Sequence, residues 1–298
     1  MLNIKKALKK ERLLSAITGV REKEFNQMLN VFAPIVSRIQ YKRARQRQAG
    51  AGRKHTLTSV EEKLFYILFY MKCYPTYDLA GFIYDVDKSQ ANRWVTTLLS
   101  SLEKALGKNL SLPKRKISTM KEFLEQFPEV KEIIIDGTER PIQRPQKQDK
   151  QKQHYSGKKK RHTHKNIVVV DAKKKVLVLT PTSPGKEHDY NLLKKSNLAA
   201  TIPKKIKTLV DLGFKGIDKD YSLQAILPHR KPRITDLTKK QKADNIKFSA
   251  RRVKVENALA GIKRLRCITD VCRTRLEKWR DKFMFLACGL WNFHLKVA

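Results

Sequence analysis

Three acids sit in settings that suit metal-assisted chemistry on phosphodiesters. Asp136 closes the apolar run Ile133-Ile134-Ile135, Asp211 closes Leu209-Val210, and Glu256 lies in a long Arg/Lys-rich segment that reads as a helix. Carboxylates are hard oxygen donors, so two strand-end aspartates and a helix glutamate can form a cage for divalent ions. The aspartates are 75 residues apart and Glu256 follows 45 later, so only folding can assemble such a cage. Each acid also has a plain structural use. Asp136 can cap a turn before Gly137, Asp211 can orient Gly213, and Glu256 can pair with Arg252 one helical turn away. Glu139 is expected to point into the loop after Asp136 and is not counted as a ligand, and Asp171 reads as a turn acid.

The surroundings of these acids are strongly basic. Across 298 residues, 65 Lys and Arg stand against 28 Asp and Glu, a formal charge of +37. That excess favours a polyanion over a neutral ligand, with nucleic acid first and a merely solvated or ribosome-associated surface as the alternative. Residues 140–165 concentrate it, with ten Lys or Arg and one acid, Asp149. Arg140, Lys158, Lys159, Arg161, His162, Thr163 and Lys165 are candidate DNA contacts there; the competing reading is a positive loop without defined contacts. His188 at the start of a later helix, and Arg252, Lys263 and Arg264 around Glu256, extend the set, while Asp189 reads equally as a turn cap.

Other chemistries find less support. His154, His162 and His164 have a superficial metal spacing, but no matched cysteine set accompanies them, and zinc is not expected. The four cysteines form no CxxC pair, which argues against a disulfide frame and fits a reducing cytoplasm. No apolar region of signal-peptide length follows the first lysines, and the apolar stretch 283–293 is too short to span a membrane, reading instead as a buried terminal helix. No Gly-rich loop ending in Gly-Lys-Ser/Thr offers an ATP site.

Positioning the acids requires two kinds of architecture. Phe25, Met28, Leu29, Phe32, Ile35, Val36 and Ile39 recur at helical spacing, predicting a helix over 21–48 whose apolar face covers the catalytic region or meets a second protomer. A glycine-containing hinge follows at 49–52. Between 57 and 106 the pattern predicts three short helices: one capped by Thr58 or Ser59, one over 77–83 after Pro75, and one capped by Asp87. That arrangement is a helix-turn-helix, with Ser89, Gln90 and Arg93 as groove or phosphate contacts; a plain helical bundle with Trp94 in its core is the other reading. Beyond 128 the periodicity changes. Strands are expected over 131–136 and 206–211, a hairpin over 166–180, a helix over 188–195, and a long helix through Glu256 whose Val253, Leu259 and Ile262 pack on the sheet.

The fold class is thus α/β, with a mostly helical helix-turn-helix domain preceding a mixed layer compatible with a ribonuclease H-like fold. The division drawn is a helical extension (1–50), a helix-turn-helix domain (51–107), a linker and covering helix (108–127) and a ribonuclease H-like domain (128–298).

Six short stretches sharpen this reading: Ile135-Asp136-Gly137-Thr138-Glu139-Arg140-Pro141, Tyr155-Ser156-Gly157-Lys158-Lys159, Arg161-His162-Thr163-His164-Lys165, Pro184-Gly185-Lys186-Glu187-His188-Asp189, Asp211-Leu212-Gly213-Phe214-Lys215-Gly216 and Arg252-Val253-Lys254-Val255-Glu256-Asn257. In this order, over about residues 130–275, the chain resembles the IS5-like group of bacterial DDE transposases, whose catalytic region also appears in the DDE superfamily of endonucleases. The helical segment before them resembles that family's helix-turn-helix domain. The resemblance implies that Asp136, Asp211 and Glu256 are the catalytic triad and metal ligands, with Asp136 bridging two Mg²⁺ ions, or Mn²⁺ in their place, about 3.5–4 Å apart. It further implies an enzyme that binds the terminal inverted repeats of an insertion element, exposes 3′-hydroxyl ends and joins them to target DNA. Its partners are then double-stranded DNA and a second copy of itself, as a homodimer or larger assembly on paired ends. No membrane is involved, and the location is the bacterial cytoplasm at the nucleoid. The alternatives are a metal-dependent nuclease without insertion, and a repurposed DNA-binding protein that no longer recombines ends.

Overall fold

The structure, a computed structural model, describes residues 4–44 and 56–298, so the 49–52 hinge lies outside the described residues. The chain opens on α1 (Ile4–Leu8), α2 (Glu11–Thr18), α3 (Glu22–Ala44), α4 (Val60–Cys73), α5 (Tyr77–Tyr84) and α6 (Lys88–Lys108). It then alternates: α7 (Met120–Gln126), β1 (Glu132–Pro141), α8 (Gln148–His154), β2 (Tyr155–Ser156), β3 (Arg161–Asp171), β4 (Val176–Leu179), β5 (Ser183–Pro184), α9 (Asp189–Lys195), β6 (Lys207–Leu209), α10 (Ile217–Tyr221) and β7 (Gln224–Ile226). Three helices close it: α11 (Lys239–Lys263), α12 (Arg266–Thr269) and α13 (Glu277–Val297). By packing, the described residues of Met1–Leu112 form one unit with Lys263–Asp270 and Lys282–Ala298, and Pro113–Ile262 forms the other with Val271–Asp281. Most of α13, which the sequence division grouped with the sheet, therefore packs in the helical unit.

In the helical unit, caps and breakers explain where helices begin and end. Ser59 Oγ accepts from Glu62 N at 3.0 Å while Glu62 Oε2 accepts from Ser59 N at 3.1 Å, a reciprocal capping box that starts α4. Pro75 blocks continuation, Thr76 caps α5 by accepting from Leu79 N at 3.1 Å, and Asp87 caps α6 by accepting from Ser89 N at 2.8 Å. Helix α6 is not short, because Leu98, Leu99, Leu102, Ala105 and Leu106 continue its buried stripe through 21 residues. Phe25, Met28, Phe32, Ile35 and Val36 of α3 are buried, against α4 and α6 of their own unit. That corrects the idea that this face meets a second protomer or covers the sheet.

The other unit is built on a mixed sheet. β1 pairs antiparallel with β3 and parallel with β6; β6 pairs parallel with β7, and β4, β2 and β5 each pair antiparallel with β3. The order β4-β3-β1-β6-β7 is the ribonuclease H-like arrangement. Ile133 to Ile135 and Ile167 to Val170 are wholly buried, as β-branched residues of a sheet covered on both faces should be, each contributing about 1.5–3 kcal/mol over an exposed position. Ile133, Ile135, Ile167 and Val169 pack with Phe123, Leu192, Leu193, Phe214 and Ile217 on one face. Ile134, and with it Glu132 and Asp136, belongs to the opposite face by strand alternation.

Several elements depart from the sequence reading. Strand β1 runs on to Pro141, so Asp136 lies within a strand and Glu139 is a strand residue rather than a loop residue. The basic stretch 140–165 is not a loop: it folds as α8, β2 and the start of β3. Asp171 is the turn acid expected, accepting from Lys173 N at 2.8 Å and Lys175 N at 2.9 Å. Helix α11 begins at a second reciprocal box, in which Thr238 Oγ1 accepts from Gln241 N and Gln241 Oε1 from Thr238 N. It buries Phe248, Val255, Ala258, Leu259 and Ile262, whereas Val253 is 43% exposed and does not pack as expected. Among the described residues, no helix is long and apolar enough to cross a membrane.

Candidate active site

Parallel pairing brings two of the three acids together. Ile134 of β1 lies beside Leu209 of β6, and the same register carried on two residues places Asp136 beside Asp211. Each is oriented by a backbone amide: Gly137 N donates to Asp136 Oδ1 and Gly213 N donates to Asp211 Oδ1, both at 2.9 Å. The expected hold of Asp211 on Gly213 is thus present, whereas Asp136 orients Gly137 within strand β1 and caps no turn. Arg252 of α11 spans the pair, its Nη2 at 3.1 Å from Asp136 Oδ1 and 3.8 Å from Asp211 Oδ2. The preceding Arg251 pairs with Glu132, four residues before Asp136 on the same strand, so two adjacent guanidiniums pin α11 along β1. Burial raises the Asp136 carboxyl above its ordinary range; Arg252 opposes the rise and the charge of Asp211 adds to it.

Glu256 is not brought into this pair. Its side chain is exposed on α11, one helical turn beyond Arg252, and Arg252 pairs with the aspartates rather than with it. Among the described residues, no group of three or more His, Cys, Asp or Glu side chains could hold a metal ion. The donor chemistry of the pair nevertheless fits a divalent cation: two hard carboxylates converge and already hold a cationic group between them.

The residues after Asp136 form a second network that sequence reading missed. Lys165, directly across from Glu139 in the β1–β3 register, is buried and donates to Glu187 O at 2.7 Å. It also pairs with Asp189 Oδ1 at 2.9 Å and Glu139 Oε1 at 3.5 Å. Thr163 Oγ1 donates to Glu139 Oε2 at 2.8 Å. A Cβ on Gly137 would stand 2.7 Å from the Asp189 carboxylate, so glycine beside Asp136 lets the start of α9 close on the strand. Arg140 is buried too, donating to Asn166 Oδ1, Thr182 Oγ1 and Arg280 O. Asp281 accepts from Arg115 and from Thr182. Arg140, Thr163 and Lys165 therefore direct their polar heads to protein partners. Lys158, Lys159 and Arg161 are exposed at the β2–β3 turn, His162 is half-buried beside them, and Lys263 is exposed. His188 caps α9, and Arg264 is half-buried in the helical unit.

Among the described residues, His164 is the buried imidazole whose titration is strongly displaced. Burial first, then the neighbouring Arg280, Arg140 and His154, lower it from 6.5 to about 3. The folded state then takes up fewer protons than the unfolded state between those values, so the stability it contributes is present above 6.5 and lost as pH falls. In a calorimetric pH series, the melting temperature is expected to decline through that window, and His164→Gln to flatten the decline. Equal slopes for both proteins would exclude this residue as the cause.

The helix-turn-helix elements place their candidates differently. Ser89 and Arg93 are exposed at the start of α6, and Gln90 is half-buried. Trp94 stacks edge-on against Tyr66 and Tyr84, with ring centroids 5.2 and 6.2 Å away, so the expected aromatic core and the exposed helix start coexist.

Two acids within reach of one arginine, Asp136 in β1 and Asp211 two residues beyond the end of its parallel neighbour β6, in a chain that also folds a helix-turn-helix, define the ribonuclease H-like class. The family model described as DDE superfamily endonuclease matches residues 135–292, and that described as helix-turn-helix of DDE superfamily endonuclease matches residues 55–108. The chain belongs to this family, as an IS5-like DDE superfamily transposase with an amino-terminal helix-turn-helix. Over 288 residues, 96% of this chain and 95% of the relative, it is 27% identical to the "Probable transposase for insertion sequence element IS702" of Microchaete diplosiphon. No solved structure matches it significantly.

Proposed function

We propose that this protein mobilises a small insertion element: it binds the terminal inverted repeats, cleaves DNA to expose 3′-hydroxyl ends and joins those ends to target DNA. The observation that carries this reading is the convergence on Arg252 of Asp136, in β1, and Asp211, just past the end of β6, with the Glu256 helix pinned along β1 by Arg251 and Arg252. In this reading Asp136, Asp211 and Glu256 hold two Mg²⁺ ions, or Mn²⁺. When bound, such ions activate the attacking water or 3′-hydroxyl and stabilise the departing oxygen. The chain's own work is to orient the two carboxylates through Gly137 N and Gly213 N, and to gather DNA phosphates with Lys158, Lys159, Arg161 and Lys263. No covalent protein nucleophile is needed for in-line displacement.

Incubating the protein with paired terminal-repeat DNA, a target plasmid and Mg²⁺ tests the reading. Joined products support it, cleavage without joining points to a nuclease, and binding alone points to a repurposed DNA-binding protein.

Recognition is assigned to the start of α6. Arg93 is exposed there beside Trp94, whose ring is held by Tyr66 and Tyr84, so its removal leaves the core intact. Arg93→Ala is expected to weaken terminal-repeat binding by about 1–3 kcal/mol and non-specific binding less if it reaches a base, or both alike if it contacts phosphate. Unchanged affinity for both DNAs at one salt concentration would remove Arg93 from the interface.

A further inference from the structure

The guanidinium of Arg252 stands where both aspartates can be reached at once, 3.1 Å from Asp136 Oδ1 and 3.8 Å from Asp211 Oδ2. These side chains are all largely withdrawn from solvent, with relative exposures of 24% for Arg252, 13% for Asp136 and 28% for Asp211. Arg252 Nε is buried and has no hydrogen-bond partner among the described residues, so the guanidinium is held by the carboxylates alone and incompletely satisfied. We infer that Arg252 is the resting counter-cation of the Asp136–Asp211 pair, and that a divalent ion enters only by displacing it. The inference rests on the metal-ion chemistry proposed above.

Charge and geometry both require the exchange. Two carboxylates and one guanidinium leave the cluster at −1, and a divalent ion in place of the guanidinium brings the pair to zero. Guanidinium and ion held together on these two carboxylates would repel each other across a few ångströms at partly buried side chains. Asp136 Oδ1 already accepts from Gly137 N and from Arg252, and an ion needs the same lone pairs. Both carboxylate contacts are made by one nitrogen, Nη2, held in place by a rigid guanidinium that stays charged when partly buried, whereas lysine is a strongly hydrated point charge on a flexible stem. Before an ion arrives, the arginine keeps the two acids from repelling each other apart. The apparent affinity for the ion is then the intrinsic affinity reduced by the free energy of breaking the arginine contacts.

The test uses the full chain without DNA and Mn²⁺ alone as probe, followed by electron paramagnetic resonance. Arg252→Ala is expected to bind Mn²⁺ roughly tenfold tighter than the unaltered chain, Arg252→Lys to fall between them, and Asp136→Asn to lose the site. Displacement itself is read by phenylglyoxal labelling of the unaltered chain and mass spectrometry. Arg252 should be protected without Mn²⁺ and modified faster with it, whereas a bystander arginine would react equally in both conditions. Unchanged or weaker Mn²⁺ binding in folded Arg252→Ala, or Mn²⁺-independent labelling, overturns the inference. If Arg252→Ala does not fold by circular dichroism, the labelling and Arg252→Lys decide. Absence of any Asp136-dependent Mn²⁺ site in both the unaltered and Arg252→Ala proteins would instead sink the underlying metal reading, and this inference with it.

Discussion

Glu256→Gln is expected to reduce divalent-ion-dependent cleavage and joining of terminal-repeat DNA by roughly a thousandfold or more, with Asp136→Asn doing the same. The two variants test the site from opposite sides. Asp136 is largely buried, accepts from Gly137 N and pairs with Arg252, so its replacement carries a structural cost as well as a chemical one. The Glu256 side chain is exposed on α11 and forms no ion pair among the described residues. Its replacement should therefore move stability by no more than about 0.5 kcal/mol. A large loss of activity at an unchanged melting temperature and unchanged DNA affinity thus isolates a chemical role for Glu256. Full strand transfer by Glu256→Gln under saturating DNA would remove it from the triad. Mixing active and Glu256→Gln subunits on paired-end DNA extends the same test to assembly. If each protomer processes one end, mixed complexes should join single ends, and full joining by a one-protomer complex would overturn the proposed dimer.

Gly81→Ala is expected to abolish specific DNA binding and lower the thermal stability of the helical unit. A Cβ at this position would stand 2.5 Å from Val86 O, the carbonyl of the turn that joins α5 to α6. Backbone cannot swing aside as a flexible side chain can, and Val86 N is itself tied back to Gly81 O at 2.9 Å. Overpacking of this kind costs about 1–3 kcal/mol even where the surroundings relax, and here relaxation means opening the turn that aims α6. Calorimetry and a terminal-repeat binding isotherm measure the two effects. A Gly81→Ala protein that melts and binds normally would show that the turn can yield, and that α6 orientation does not depend on this contact.

The local elements were legible because local chemistry decides them. Ser59 with Glu62, Pro75 with Thr76, and Asp87 announce three helices through caps and a breaker that act within a few residues. Asp171 likewise announces its turn. The elements that the sequence does not announce are either very short or stabilised from afar. Strand β7 and helix α10 span three and five residues, too few for a period to declare itself. Strand β1 continues past Asp136 through Gly137 and Thr138, although glycine is a poor strand former, because β3 pairs with it all the way to Pro141. Val253 has the apolar type of a packing residue, yet the buried face of α11 follows Phe248, Val255, Leu259 and Ile262 and leaves it exposed.

At the site, the sequence by itself determined the acids, the basic setting and the α/β class, since residue identity carries charge and donor type directly. It could not say which acids meet. That Asp136 and Asp211 lie together is set by the parallel β1–β6 register, a pairing between segments 75 residues apart that no local pattern encodes. Only the tertiary structure decided that Arg252 faces this pair rather than Glu256, and that Lys165, Thr163 and Arg140 turn inward to protein partners. The physical reason is the same in each case: a long side chain can satisfy its charge in several directions, and the choice depends on which opposite charges or acceptors the distant chain brings within about 3–4 Å.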